Sequence, residues 1–159
     1  MPRRPEIPKS IQVAVYRRDG WLCRHCKQPV ILHVALKYIE RELRKEGIAI
    51  PLAYHHPNWS RAHAPLLDQL GAVADHTTAF SAGGPTRPDN LVTSCNKCNA
   101  RKSAKSLAIW SNRLKAPPVR GRYGEPQAWD GLSTLFVVLA KRHPEAMTES
   151  DKAWFRALA

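Results

Sequence analysis

Acidic side chains are scarce in this sequence: 13 Asp and Glu stand against 25 Lys and Arg, for a formal net charge of +12. That shortage excludes an acidic, self-solvating chain and favours a polyanionic partner. No apolar run approaches the roughly 20 residues of a transmembrane helix. The start carries no apolar core of a secretory signal, so a cytoplasmic location and no membrane partner are expected. Cysteine is limited to four residues, and no internal repeat or low-complexity tract is present. A chain of 159 residues, 43% of them hydrophobic, suits one compact domain or a small core with appendages.

The positive charge is unevenly placed. Residues 1–27 hold seven Lys and Arg against two acids, and residues 95–122 hold eight against none. Between them the charges balance. The two basic stretches are also the ones that carry the cysteines. Clustered cations supply most of the affinity of proteins for nucleic acid, so a nucleic-acid partner is expected.

Apolar periodicity and turn residues outline the chain. A helix is expected from Ser10 to Arg18, ended by an Asp19-Gly20 turn, and Trp21 to Cys26 reads as a short strand entering a turn. Pro29 suits the first turn of an amphipathic helix from Val30 to Glu46, with Val34, Ala35 and Tyr38 inward and Gly47 as its stop. Residues 51–60 read as loop and Arg61 to Leu70 as a short helix. Ala72 to Thr77 and Leu91 to Ser94 read as strands on either side of a loop rich in Gly and Pro. A helix is expected from about Asn99 toward Leu114, with a linker over residues 116–129. Asp130 should cap a helix from Gly131 to Arg142, and Thr148-Glu149-Ser150-Asp151 resembles a capping box before a last helix.

The cysteines come in two CxxC pairs, Cys23/Cys26 and Cys95/Cys98. Each such turn sets two thiolates on one side of a knuckle, and two turns complete a closed tetrahedral shell, the arrangement of a structural zinc. Disulfides are the alternative reading of the same residues. The metal would tie an N-terminal segment to one 69 positions later. His25, inside the first knuckle, is expected to face solvent or phosphate.

A second constellation is Asp75-His76, Asn90 and Asn99. Hydrolysis of a phosphodiester requires a water to lose a proton, the phosphate to be held, and charge on the leaving oxygen to be neutralised. A histidine can act as the base, and a hard divalent cation held by oxygen ligands can do the rest. Adjacent strand residues point to opposite faces, so a bend at Asp75-His76 would be needed to bring both into one pocket. Asn90 would then lie beside His76 and fix its tautomer, while Asn99, opening the following helix, would offer its oxygen to the metal. The remaining histidines (His33, His55, His56, His63 and His143) read as surface or core residues. Thr77 and Thr78 read as structural. The tryptophans read as packing, with Trp110 open as a base-stacking platform.

At these residues the sequence resembles a known family. DHTTAFSAGGPTRPDNLVTSCNKCNARKSAKS is similar to the core of HNH endonucleases, and RRDGWLCRHC resembles the first zinc knuckle of their four-cysteine subgroup. The resemblance implies an α+β fold: a ββα-metal (His-Me finger) nuclease core with a structural zinc site and flanking helices. It implies His76 as general base, Asn90 as its support, Asp75 and Asn99 as ligands of a catalytic cation, and Lys102 on phosphate. Two protein ligands of this kind favour Mg2+ or Mn2+ at that site. Lys97, Arg101 and Lys105 would join Lys102 in binding DNA. The expected organisation is an N-terminal basic arm (1–9), a nuclease domain (10–115) with a helical insert at about 29–70, a linker (116–129) and a helical extension (130–159). One such site nicks one strand, so either a monomer or a homodimer fits. Two rivals share the charge and the cysteines: a non-catalytic zinc module that binds DNA or RNA, and a ribonuclease.

Overall fold

The computed structural model describes residues 5–53, 65–102 and 129–159. Among them the chain forms α1 (Lys9–Arg18), α2 (His33–Lys45), α3 (Leu66–Leu70), β1 (Ala72–His76), β2 (Leu91–Cys95), α4 (Asn96–Lys102), α5 (Ser133–Arg142) and α6 (Glu149–Leu158). His55, His56, His63, Lys105 and Trp110 lie outside the described residues, as do most of the expected linker and the far end of the expected helix after the second CxxC.

The strands form one antiparallel pair, with Ala72 opposite Cys95 and His76 opposite Leu91. All five residues of β2 are buried, because α1 and α4 both pack on the hairpin. This is the expected ββα unit inside an α+β fold.

Two boundaries differ from expectation, each for a tertiary reason. The helix expected from Val30 begins at His33. Pro29 instead bridges Leu22, and Ile31 bridges Gly71. The N–H groups of Val30, Ile31 and Leu32 donate to the carbonyls of Trp21, Leu70 and Gly131 at 2.8 to 2.9 Å. Apolar periodicity alone does not separate a short buried extended run from the first turn of a buried helix. The helix expected from Asn99 starts three residues earlier, at Asn96. Cys95 Sγ accepts the Cys98 N–H at 3.4 Å, doing for this helix what a Ser or Asp oxygen does at other helix starts.

Asp130 accepts the N–H groups of Leu132 and Thr134, but it is not the N-cap it was expected to be: that position is Leu132. Gly131 and Leu132 both have left-handed backbones, which delays α5 to Ser133. The capping box at Thr148 and Asp151 is present.

The core joins both ends of the chain. Phe136 of α5 and Trp154 and Leu158 of α6 sit in one cluster with Val13, Tyr16 and Tyr38. The Asp151 carboxylate, besides closing its capping box, pairs with Arg41 of α2. No helix among the described residues is long and apolar enough to cross a membrane.

Candidate active site and metal knuckle

The two CxxC turns converge. The four cysteine sulfurs lie within 4.8 Å of one another, and Cys26 Sγ is 3.8 Å from Cys95 Sγ. A zinc ion bound by four thiolates at about 2.3 Å spaces the sulfurs by roughly 3.8 Å, so the cage fits the ion. All four cysteines are free thiols, not disulfides; Cys23, Cys95 and Cys98 are buried and Cys26 is exposed. Hydrogen bonding from Cys26, then from Cys95 and Cys98, pulls the Cys23 thiol far below its usual range. Cys98 is driven far above its own by Cys23, then by Cys26 and Cys95. Four sulfurs this close cannot all ionise without a cation among them, which is what a tetrahedral zinc supplies.

The knuckle is fixed to the hairpin by backbone and by charge. The Arg24 N–H donates to the Thr93 carbonyl at 2.9 Å. Asp19, wholly buried, accepts from Arg18 Nε at 2.9 Å and Nη2 at 3.0 Å, and from the Thr93 N–H at 2.9 Å. The same Arg18 guanidinium donates to the carbonyls of Pro88 and Leu91. It therefore grips the chain on both sides of Asn90.

Asp75 and His76 both keep strand pairing, opposite Val92 and Leu91, and both are buried. Their side chains meet different partners. Asp75 Oδ2 is 2.8 Å from Lys102 Nζ and 3.7 Å from His25 Nε2. Burial pushes the Asp75 carboxyl up, but His25 and Lys102 outweigh it and leave the group below its usual value. Lys102 also donates to the His76 carbonyl. Among the described residues, none donates a hydrogen bond to Asp75 Oδ1.

His76 is 2% exposed. Its Nε2 lies 3.0 Å from Thr86 Oγ1, and its ring packs edge-on near Phe80. The Asn90 carboxamide is committed to the loop between the strands. Its oxygen accepts from Thr77 Oγ1 at 2.6 Å and from the Thr78 N–H at 2.9 Å. Its nitrogen donates to the carbonyls of Thr78 at 3.1 Å and Pro85 at 2.8 Å. Those four bonds use the full capacity of a primary amide. Asn90 thus braces the segment that carries Thr86, and Thr86 is the residue against the imidazole.

Asn99 and Lys102 are three apart on α4 and so share a face. Lys102 reaches Asp75 from that face. Among the described residues the Asn99 side chain has no hydrogen-bond partner, and it is half-buried on the same helix face as Lys102. Lys97 and Arg101, four apart, are both exposed on α4 and project as a basic stripe, whereas Lys102 is turned inward.

Sequence reasoning missed four contributors. Thr86 gave no signal, being one polar residue in a loop of Gly and Pro. His25 was expected at solvent or phosphate, but its side chain is 5% exposed and lies against Asp75. Arg18 and Asp19 sat beside the first knuckle, where a charged pair reads as surface.

A buried histidine and carboxylate at the end of a ββα hairpin, with a four-thiolate cage beneath, define a zinc-stapled ββα-metal unit. A family model described as HNH endonuclease matches residues 67–105, about a quarter of the chain, so this stretch is similar to an HNH domain and points to a nucleic-acid-related function. The match takes in Asp75, His76, Asn90, the second CxxC pair, Asn99 and Lys102, and leaves Cys23 and Cys26 outside. No curated protein and no solved structure matches the chain.

Proposed function

We propose that the protein is a DNA endonuclease that uses a divalent metal and His76 as general base. The observation that carries this reading is the division of labour along β1. His76 is buried against Thr86, while Asp75, one residue earlier, offers an Oδ1 to which no described residue donates a hydrogen bond. Thr86 orients the imidazole, and Asn90 acts at one remove by holding the loop in which Thr86 lies. The imidazole takes the proton of the attacking water. Asp75 and Asn99 would hold a Mg2+ or Mn2+ ion, which supplies Lewis-acid stabilisation of the phosphate and leaving oxygen. Lys97 and Arg101, with Lys105 further along, bind the DNA backbone, and Lys102 keeps Asp75 ionised and in place. The zinc is structural. The products are a 5′-phosphate and a 3′-hydroxyl, and one site nicks one strand.

A supercoiled-plasmid nicking assay tests the reading. Wild type with Mg2+ or Mn2+ is expected to convert supercoiled to open-circular DNA, and His76→Ala to lose at least a hundredfold in rate. Equal cutting by His76→Ala overturns the assignment of the base. Cleavage of RNA in the presence of EDTA, with no action on DNA, overturns the metal-dependent deoxyribonuclease in favour of a ribonuclease.

A further inference from the structure

The geometry points to His25 as a positioning residue for the cation-binding carboxylate, Asp75, and so to a direct link between the zinc knuckle and the second metal site. This rests on the reading of Asp75 as a cation ligand.

His25 stands between two zinc ligands, Cys23 and Cys26, and the knuckle backbone is clamped to β2 through the Arg24 N–H and the Thr93 carbonyl at 2.9 Å. The imidazole has little freedom, since its side chain is 5% exposed. Its Nε2 reaches to 3.7 Å of Asp75 Oδ2, the same oxygen that Lys102 Nζ holds at 2.8 Å. The contact is longer than a good hydrogen bond, so its effect is to confine the carboxylate and to set its field. The imidazole of the knuckle and the ammonium of Lys102 on α4 close on Oδ2 from two sides. Oδ1 is left as the oxygen presented to an incoming ion. Groups that orient a ligating carboxylate from behind typically change metal affinity by roughly 10–100-fold when removed. In this chain such a group is carried on the structural zinc loop, so folding of the knuckle sets Asp75.

The test is Mn2+ binding to zinc-loaded, full-length protein, followed by the loss of the free-Mn2+ electron paramagnetic resonance signal. Zinc content and the thermal unfolding midpoint are measured on the same samples. Wild type is expected to bind one Mn2+ tightly, and Asp75→Asn to abolish that site. His25→Ala is expected to weaken it at least tenfold, with zinc content and midpoint unchanged. His25→Gln, which keeps a side-chain N–H donor, is expected to recover part of the affinity. Mn2+ binding by His25→Ala equal to wild type overturns the positioning role while leaving the site intact. Weakening that tracks zinc loss in both His25 variants also overturns it, because His25 would then serve only the knuckle. If Asp75→Asn binds Mn2+ as wild type does, it is the cation site itself that fails.

Discussion

Asp19 and Thr93 are 74 positions apart, yet the wholly buried Asp19 carboxylate accepts the Thr93 backbone N–H at 2.9 Å. With Arg18 closing on the same carboxylate, this contact docks the turn after α1 onto the middle of β2. Removing the carboxylate leaves the buried Thr93 N–H without its partner, which typically costs about 1–3 kcal/mol, while the half-exposed Arg18 is rehydrated. Asp19→Ala is therefore expected to lower the unfolding free energy by about 2 kcal/mol in urea titrations of the zinc-loaded protein. A loss below about 0.5 kcal/mol, the scale of an ordinary surface change, would show that the clamp does not hold the knuckle to the hairpin.

Removal of zinc should act on the same junction. The cage joins the first CxxC to the end of β2, so its loss frees the first knuckle from the hairpin. Metal analysis is expected to find one zinc per chain, and Cys98→Ser to abolish it together with most of the cooperative unfolding transition. Full cooperativity in metal-free Cys98→Ser would mean that the apolar cluster, not the cage, holds the first knuckle in place.

What the sequence made legible follows the range of the interactions. The cysteine cage and both strands were readable because each rests on a short, local pattern. The capping box at Thr148 was readable for the same reason. The seam at residues 30–32 was not, since its partners, Trp21, Leu70 and Gly131, lie on three separate segments. Nor was the fate of Asn90: spacing put it near the histidine, but which loop groups would absorb its four hydrogen bonds depends on how residues 77–86 fold back. His25 was misjudged because a residue between two metal ligands reads as an exposed knuckle tip until the hairpin beneath it is known.

The loop itself gives a sharp contrast between neighbouring glycines. Gly83 has a φ of 81° and open space around it, whereas a Cβ on Gly84 would stand 1.9 Å from the Thr78 carbonyl oxygen. Gly83→Ala costs only the left-handed backbone, on the order of 1 kcal/mol, and should still nick plasmid at near the wild-type rate. Gly84→Ala must push the Thr78 backbone away, disturbing the very peptide that bonds Asn90 and shifting Thr86 from His76. Its nicking rate is expected to fall at least tenfold, with circular dichroism showing the fold retained. Similar rates for the two variants would mean that the loop's shape does not govern the histidine.

His33 predicts the response of stability to acid. Burial, then the nearby charge of Lys37, lowers its pKa from 6.5 to about 4 against a small opposing pull from Asp68. Its Nε2 lies 3.4 Å from Asn96 Nδ2, at the junction of α2 and α4. The unfolded chain protonates this ring near pH 6.5, the folded one only near pH 4. Between those values the unfolded state binds more protons, so stability falls as the pH drops through that window and is fully present above it. The loss attributable to this group is on the order of 3 kcal/mol. Urea titrations at pH 7.5 and pH 4.5 should show it in wild type, and His33→Gln should show a smaller difference between the two pH values. Because zinc also leaves thiolates in acid, the comparison is made at equal measured zinc content. An identical acid response in wild type and His33→Gln would show that His33 does not carry it.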